Sequence, residues 1–204
     1  QVGSFPSWRR WAEWNGRYRD DMRRFLKGDD GLSEIAAKRI CGSPDLYNPL
    51  YRGGNASVNF LTCHDGFTLY DLYSYNQKHN EANGWNNSDG CNDNYSWNCG
   101  EEGETSDSEI LRLRLKMMQN ACAILMCSRG TPWLDWSLLS KHQTLFAFFQ
   151  YMIAFRKQHP VIRKDLEPSY TAYPAMSSPH PSSETAPSND SHICCILFAG
   201  FDET

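Results

Sequence analysis

The stretch VNFLTCHDG, residues 58–66, carries most of the information about the fold. Its first six residues, 58–63, predict a strand, because they are rich in apolar side chains and follow the turn-forming Gly53-Gly54-Asn55. Helical patterns precede and follow this strand, and strands that alternate with helices indicate a parallel α/β unit. His64 and Asp65 would then lie at the carboxyl end of a strand, where α/β barrels build their active sites.

Apolar residues at helical spacing, together with stop signals such as Gly28 and Pro160, predict the helices around this strand. Ser33 is the predicted N-cap of one helix, and Ser106 with Glu109 forms a predicted capping box for another. The predicted helices cover residues 18–28, 33–40, 106–130 and 141–158. The charged series Arg112, Arg114 and Lys116 is predicted to face solvent.

A long polar segment, residues 76–107, separates the strand from the third helix and shows no apolar periodicity. It is rich in asparagine, including Asn80 and Asn83, and carries aromatic residues such as Trp85. Amide side chains offer donors and acceptors that suit vicinal hydroxyls, and aromatic rings offer flat faces to sugar rings. Asparagine and glycine are also the ordinary residues of turns, so a purely structural loop remains an alternative.

Composition excludes several classes of protein. The 204 residues are 40% hydrophobic and 22% charged, which is typical of a globular chain. The net charge of −4 gives no basic footprint for nucleic acid, so no nucleic-acid partner is expected. The longest apolar runs, residues 121–127 and 193–199, are far shorter than the roughly 20 residues of a membrane helix. No membrane association is therefore expected.

The eight cysteines have no Cys-x-x-Cys spacing, and five of them lie in apolar segments. Together with the absence of a signal-peptide pattern, this predicts reduced thiols and a cytoplasmic protein. The sequence begins at Gln1 without a methionine, which raises the expectation of a fragment.

The character of the chain changes after Pro160. Residues 165–191 are rich in proline and serine, and residues 193–199 again resemble a strand. This predicts a domain from residue 1 to 160, a linker at 161–191 and the start of a β domain at 192–204.

The pair His64-Asp65 is the sharpest chemical feature. A carboxylate at the mouth of a parallel strand can accept hydrogen bonds from sugar hydroxyls or balance a developing cation, and the histidine can bind the same ring. A turn at Asp65-Gly66 beside a core histidine is the structural alternative. The acids near Asp89 and Asp93 lack the EF-hand spacing, so neither a metal nor another cofactor is predicted.

Three longer stretches carry a resemblance to a known family. They are QVGSFPSW with WAEWNGRYRDDMRRFLKGD in residues 1–29, SVNFLTCHDGFTLYDLYSYNQKHNEANGWNNSDG in residues 57–90, and NYSWNCGEEGETSD in residues 94–107 with the helix that follows. The chain resembles the isoamylase-type glycogen debranching enzymes of the α-amylase superfamily, strongly over residues 1–160 and weakly beyond.

The resemblance implies the C-terminal part of a (β/α)8 TIM barrel followed by the beginning of a β-sandwich domain. It implies hydrolysis of α-1,6 branch linkages with retention, acting on α-glucans such as glycogen, limit dextrin or branched malto-oligosaccharides. Retention uses two close carboxyls, a nucleophile and a general acid. Asp65 corresponds to a third catalytic acid, and His64 to its partner on the same sugar ring. His79, Asn80, Asn83 and Trp85 would bind substrate in a branch-selective cleft.

Two departures from the family pattern accompany the resemblance. The motifs of the nucleophile and the general acid would lie before Gln1, so the chain alone is expected to be inactive. Pro132 runs directly into Trp133, where the family places its eighth strand, which is therefore expected to be missing between residues 132 and 133.

Two other functions remain open at this stage. One is a non-catalytic glucan-binding or regulatory subunit derived from the same family. The other is an extracellular calcium-binding domain that uses the acids of residues 89–104. The sequence does not indicate an oligomeric state.

Overall fold

A computed structural model of the chain describes residues 2–3, 11–48, 50, 53–132, 143–162, 170–174 and 193–198. Four helices and five strands follow one another along these residues. They are β1 (Glu13–Trp14), α1 (Gly16–Lys27), α2 (Ser33–Ile40), β2 (Ser57–Asn59), α3 (Ser108–Cys127), β3 (Thr131–Pro132), α4 (Gln143–Gln158), β4 (Tyr170–Pro174) and β5 (Ile193–Phe198).

The first three strands form one parallel sheet in the order β1-β2-β3. Trp14 of β1 pairs with Val58 of β2, and Val58 pairs with Thr131 of β3. Helices α1 and α2 connect β1 to β2, and the polar segment and α3 connect β2 to β3. This order confirms the predicted parallel α/β unit.

Strand β2 is shorter than predicted, since it ends at Asn59 rather than at residue 63. Phe60 and Leu61 remain buried, but the carbonyl oxygen of Leu61 accepts a hydrogen bond from Nε of Arg23, at 2.8 Å, and a second from the same guanidinium. An arginine of α1 thus takes up a backbone group beyond the end of the strand. The apolar pattern therefore predicts correctly that these residues are buried, but it predicts a strand that is too long.

Strands β4 and β5 form a separate antiparallel pair in which Tyr170 lies opposite Phe198. Strand β5 lies where the sequence predicts one. Strand β4 was not predicted, and it lies inside the segment interpreted as a linker, residues 161–191. The domain boundary itself stays a prediction.

The core lies between α1, α2 and α3. Tyr18 and Met22 of α1, Ala36 of α2, and Met118 and Cys122 of α3 are almost completely buried in one cluster. These positions follow helical spacing, so the periodicity that predicted the helices also identifies the faces that they bury. Helix α1 ends as predicted at Gly28, whose φ of 95° is left-handed and whose N–H binds the carbonyls of Arg24 and Phe25.

Two predicted caps are wrong by one residue. Ser33 is the first residue of α2 rather than its N-cap, a position that Leu32 takes without a side-chain bond. Asp107, not Ser106, caps α3: its Oδ1 accepts hydrogen bonds from the N–H groups of Glu109 and Ile110, at 2.8 and 3.4 Å. Aspartate caps as well as serine does, and the spacing alone does not choose between neighbours.

Within the described residues, no helix is both long and apolar enough to cross a membrane.

Candidate active site

A cleft of about 370 Å³ opens beside the segment that follows β2. Residues 64–67 form one wall, and residues drawn from 71–91 form the other. The structure places five of the six sequence-predicted site residues on this cleft: His64, Asp65, His79, Asn80 and Asn83. Trp85, the sixth, lies outside the lining and exposes 69% of its surface.

Asp65 projects from the turn after β2 and is exposed to solvent. The thiol of Cys63 donates a hydrogen bond to its Oδ1, with Sγ and Oδ1 2.6 Å apart. This bond is the main cause that lowers the pKa of Asp65. Partial burial opposes it, whereas a backbone N–H and the charges of Arg19 and His64 also lower the pKa. Asp65 is therefore a carboxylate at neutral pH.

Cys63 is a suitable donor because it remains protonated. Burial raises the pKa of this thiol, and its hydrogen bond to Asp65 raises the pKa further. The thiol and the carboxylate thus keep complementary protonation states across the neutral range. Its position in an apolar segment predicts Cys63 only as a small apolar residue, so this contact is not expected from the sequence.

His64 lies beside Asp65, with its ring edge-on to Trp14 of β1 at a centroid distance of 6.4 Å. Trp14 also contacts Phe60 edge-on, at 5.1 Å. The imidazole therefore lies against Trp14 of β1, whose ring also contacts Phe60, and it remains exposed at the mouth of the cleft. His64 and Asp65 together present an imidazole and a carboxylate to the same space.

The second wall is a loop cross-linked by its own amides. The amide nitrogen of Asn83 donates to Oδ2 of Asp89, at 2.9 Å, and that of Asn80 donates to the carbonyl of Asp89, at 3.2 Å. Lys78 Nζ donates to the same carbonyl, at 2.9 Å. Part of the hydrogen-bonding capacity that the sequence analysis assigned to a ligand therefore holds the loop together. Each amide keeps a second N–H and its oxygen.

Other residues of this wall were not predicted: Asp71, Tyr75, Lys78 and Asp89 line the cleft. Asp71 also has a local role, since its Oδ2 accepts a hydrogen bond from the Thr68 hydroxyl at 2.8 Å. Lys78 and Asp89 belong to the polar segment 76–107, whose lack of periodicity offers no signal that selects them among its many polar residues.

Arg114 contradicts the prediction that it faces solvent. It exposes only 1% of its surface, and its guanidinium donates to the carbonyls of Gly103 (2.7 Å), Glu101 (2.5 Å) and Asn98 (3.2 Å). The sequence does contain a signal for this. Arg114 lies four residues before Met118, on the apolar face of α3, and two residues from the exposed Arg112, on the opposite face.

Within the described part of the chain, no group of three or more His, Cys, Asp or Glu side chains could hold a metal ion. Each of the six cysteines whose side chains the structure describes is a free thiol.

Comparison with known proteins gives consistent relatives, although no family model matches the chain. It is 47% identical to isoamylase 3, chloroplastic, of Oryza sativa subsp. japonica over 191 residues, which are 80% of this chain and 24% of that protein. It is 46% identical to a glycogen operon protein GlgX homolog of Mycobacterium tuberculosis, over 80% of this chain and 26% of that protein. It is 41% identical to a glycogen debranching enzyme of Serratia proteamaculans, over 81% of this chain and 28% of that protein.

Among solved structures, the chain resembles a pullulanase of Anoxybacillus sp. LM18-11 complexed with maltotetraose. The TM-score is 0.48 at 23% identity, over 75% of this chain and 23% of that one. The chain spans about a quarter of the length of the relatives it matches.

Proposed function

Because this chain is a homologue of the isoamylase-type glycogen debranching enzymes over four-fifths of its length, we propose that it is part of an α-1,6-glucosidase acting on branched α-glucans. Such an enzyme hydrolyses branch linkages of glycogen or limit dextrin with retention of configuration. Retention requires a nucleophilic carboxylate and a general acid about 5 Å apart, and a positively charged sugar develops between them.

The observation that carries this proposal is the placement of Asp65. It follows a parallel strand, lies on the cleft and accepts a hydrogen bond from the thiol of Cys63, which lowers its pKa. A charged carboxylate at this position can accept hydrogen bonds from two sugar hydroxyls and stabilise the cationic transition state. His64 would donate to the same ring from the side of β1.

The opposite wall supplies the remaining substrate contacts. His79, Asn80 and Asn83 line the cleft, and their unused donors and acceptors would bind hydroxyls of the branch. Trp85 lies outside the lining with most of its ring exposed, and we assign it to an outer sugar that stacks on its face.

We further propose that β1, β2 and β3 are neighbouring strands of a (β/α)8 barrel, and that residues 192–204 begin a β-sandwich domain. Strand β3 pairs with β2 in the position that the next barrel strand would take, and it ends at Pro132. The eighth strand is predicted to be missing between residues 132 and 133, and this junction lies at the edge of the described residues, since residues 133–142 are outside them. We propose that the missing residues follow β3 directly.

The alternative of a non-catalytic glucan-binding or regulatory subunit is not favoured, because the relatives bear the names of enzymes. A cytoplasmic location remains a proposal, since the name of the rice relative is chloroplastic.

Binding and hydrolysis by the 204-residue chain test the proposal. We expect calorimetry to detect a branched malto-oligosaccharide with an α-1,6 linkage in preference to a linear one of equal length. Asp65→Asn should weaken this binding, and Asp93→Asn, an exposed acid outside the cleft, should leave it unchanged. Equal affinity for branched and linear oligosaccharides, or no affinity for either, would contradict the proposal.

No hydrolysis of limit dextrin is expected from the 204 residues, because the motifs of the family's nucleophile and general acid are not found among them. Release of reducing sugar above background would show that this expectation is wrong. In a longer chain that carries both motifs, Asp65→Asn should lower kcat by about 10²- to 10³-fold.

A further inference from the structure

One carboxylate outside the cleft lining gathers several hydrogen bonds from the second wall. Oε2 of Glu102 accepts from the backbone N–H of Asn76, at 2.8 Å, and from the side-chain amide of Asn98, at 3.0 Å. Oε1 accepts from the N–H of Gln77, at 3.4 Å, and lies 3.2 Å from Nε2 of His79. A single side chain thus connects the loop at residues 98–103 to the segment that carries His79.

Glu102 remains ionised in this position. Its partial burial acts to raise its pKa, but the hydrogen bonds from Asn76, Asn98, His79 and Gln77 together outweigh burial and hold the pKa below its ordinary value. An ionised carboxylate only accepts hydrogen bonds. Nε2 of His79 must therefore carry the hydrogen in this contact.

The loop at residues 98–103, which carries Glu102, is itself held in place by hydrogen bonds. The guanidinium of Arg114 binds the carbonyls on both sides of Glu102, at Glu101 and Gly103. The N–H of Gly103 donates to the carbonyl of Ser74, at 2.7 Å, just before the segment that Glu102 binds. Buried contacts to α3 therefore determine where the carboxylate of Glu102 lies.

These contacts have a consequence for the chemistry of His79. Its ring lies against Tyr75, at a centroid distance of 4.9 Å, and Glu102 fixes Nε2 as the protonated nitrogen. In a neutral imidazole, the other nitrogen, Nδ1, is then an acceptor. An acceptor at this position can take a hydrogen bond from a sugar hydroxyl, which an imidazole with the opposite tautomer could not do.

We propose that Glu102 is a positioning residue of the glucan cleft, which orients segment 76–79 and selects the Nε2–H tautomer of His79 so that Nδ1 accepts a substrate hydroxyl. The glucan part of this inference rests on the proposed function. Glu102 acts through His79 and lies outside the cleft lining.

The test combines nuclear magnetic resonance of the free 204-residue chain with calorimetry. In the wild type, the ring nitrogens of His79 should report the Nε2–H tautomer, and the amide protons of Asn76 and Gln77 should lie downfield because they bind a carboxylate. Glu102→Gln should shift both amide signals, mix the two His79 tautomers and weaken binding of a branched malto-oligosaccharide about tenfold, the equivalent of one lost hydrogen bond.

Two further variants sharpen the test. Glu81→Gln removes the same charge from an exposed residue close to His79 in sequence, and it should leave the tautomer and the affinity within twofold of the wild type. Glu102→Asp keeps the charge on a shorter side chain. It should therefore retain part of the Nε2–H tautomer of His79 and part of the affinity that Glu102→Gln loses. It also serves as the informative variant if Glu102→Gln does not fold.

Unchanged His79 and Asn76 signals in both Glu102 variants would overturn the proposal, as would changed signals with unchanged affinity. A wild-type chain that binds no glucan would instead refute the proposed function. The His79 signals would still decide whether Glu102 positions this wall.

Discussion

The helical core and the polar segment after β2 achieve order in two different ways. In the core, α1 and α3 bury apolar side chains such as Met22 and Met118 in one cluster. The polar segment is held by backbone carbonyls that bind buried arginines. Arg23 of α1 binds the carbonyl of Asn94, at 3.1 Å, and Arg114 of α3 binds three carbonyls of residues 98–103. The same two helices therefore support both regions, each with an apolar face and one buried arginine.

Of the two regions, the helical core should give the larger loss of stability when a side chain is removed. Leu125→Ala removes a side chain of α3 that is 4% exposed, and it should lower the free energy of unfolding by about 3 kcal/mol. Leu111→Ala changes the same residue type on the same helix where it is 39% exposed, and it should cost less than about 1 kcal/mol. Urea denaturation measures both, and equal losses would show that α3 does not bury the face described.

Arg114→Met tests the polar side, with a smaller expected effect. Three carbonyls would lose their donor while the volume of the side chain is largely kept, so we expect a loss of about 2 kcal/mol. Arg112→Met, whose side chain is 78% exposed in the wild type, should change stability by less than about 0.5 kcal/mol.

Hydrogen exchange shows whether Arg114 stabilises the loop at residues 98–103 or the helical core. In Arg114→Met, the amide of Gly103 should exchange faster with solvent, whereas the capped amide of Tyr18 should be nearly unaffected. Uniform acceleration throughout the chain would mean that Arg114 supports the core rather than the loop.

The junction between the two regions is the N-cap of α3, and its effect should be smaller again. Asp107→Ala removes the acceptor of two backbone N–H groups and should cost about 1 kcal/mol. Ser106→Ala should stay within about 0.5 kcal/mol of the wild type. Thermal unfolding measures both variants. A larger loss of stability in Ser106→Ala than in Asp107→Ala would show that Ser106 is the N-cap.

The smallest effect is expected at the cleft. Cys63→Ala removes the main cause of the low pKa of Asp65, so that pKa should rise towards its ordinary value, and Cys63→Ser should lower it again. A carboxyl with a lowered pKa in the folded state contributes stability above its unfolded pKa, and this contribution disappears as the pH falls through the folded pKa. In Cys63→Ala, this contribution should be smaller, and its loss should be complete at a higher pH, because the folded pKa lies closer to the unfolded one. The carbon signal of the Asp65 carboxyl during a pH titration measures the change, and an unchanged midpoint would rule out the thiol as its cause.

The sequence predicts the parts of this molecule whose apolar residues recur at regular spacing. Helices α1 and α3 and the apolar residues that they bury follow from apolar spacing, although Arg114 does not. The position of Asp65 follows from a predicted strand that His-Asp succeeds, although β2 itself already ends at Asn59. The end of β2 could not be predicted, because Phe60 and Leu61 are as apolar as a strand residue although Arg23 takes up the Leu61 carbonyl. The same limitation applies to Ser106 and Asp107, since both are good capping residues.

The second wall was predicted only as a region. Asparagines 80 and 83 were assigned to a ligand from their chemistry, and the structure shows that they also hold Asp89. Whether an amide serves the loop or the cleft depends on contacts between residues that are distant in the chain. No local pattern encodes those contacts, and the bond from His79 to Glu102, 23 residues away, is the clearest case.

The guanidinium of Arg114 binds main-chain oxygens, and this has a consequence for how the loop could change. Carbonyl groups are present whatever side chain a residue carries, so the side chain of Glu101 could be varied without removing the anchor. Gly103 should be kept, because its φ of 87° is a left-handed conformation that favours glycine, and the same holds for Gly100, whose φ is 116°. A library that varies Glu101 while it keeps Glu102, Gly103 and Arg114 would therefore explore new loop surfaces on an intact support.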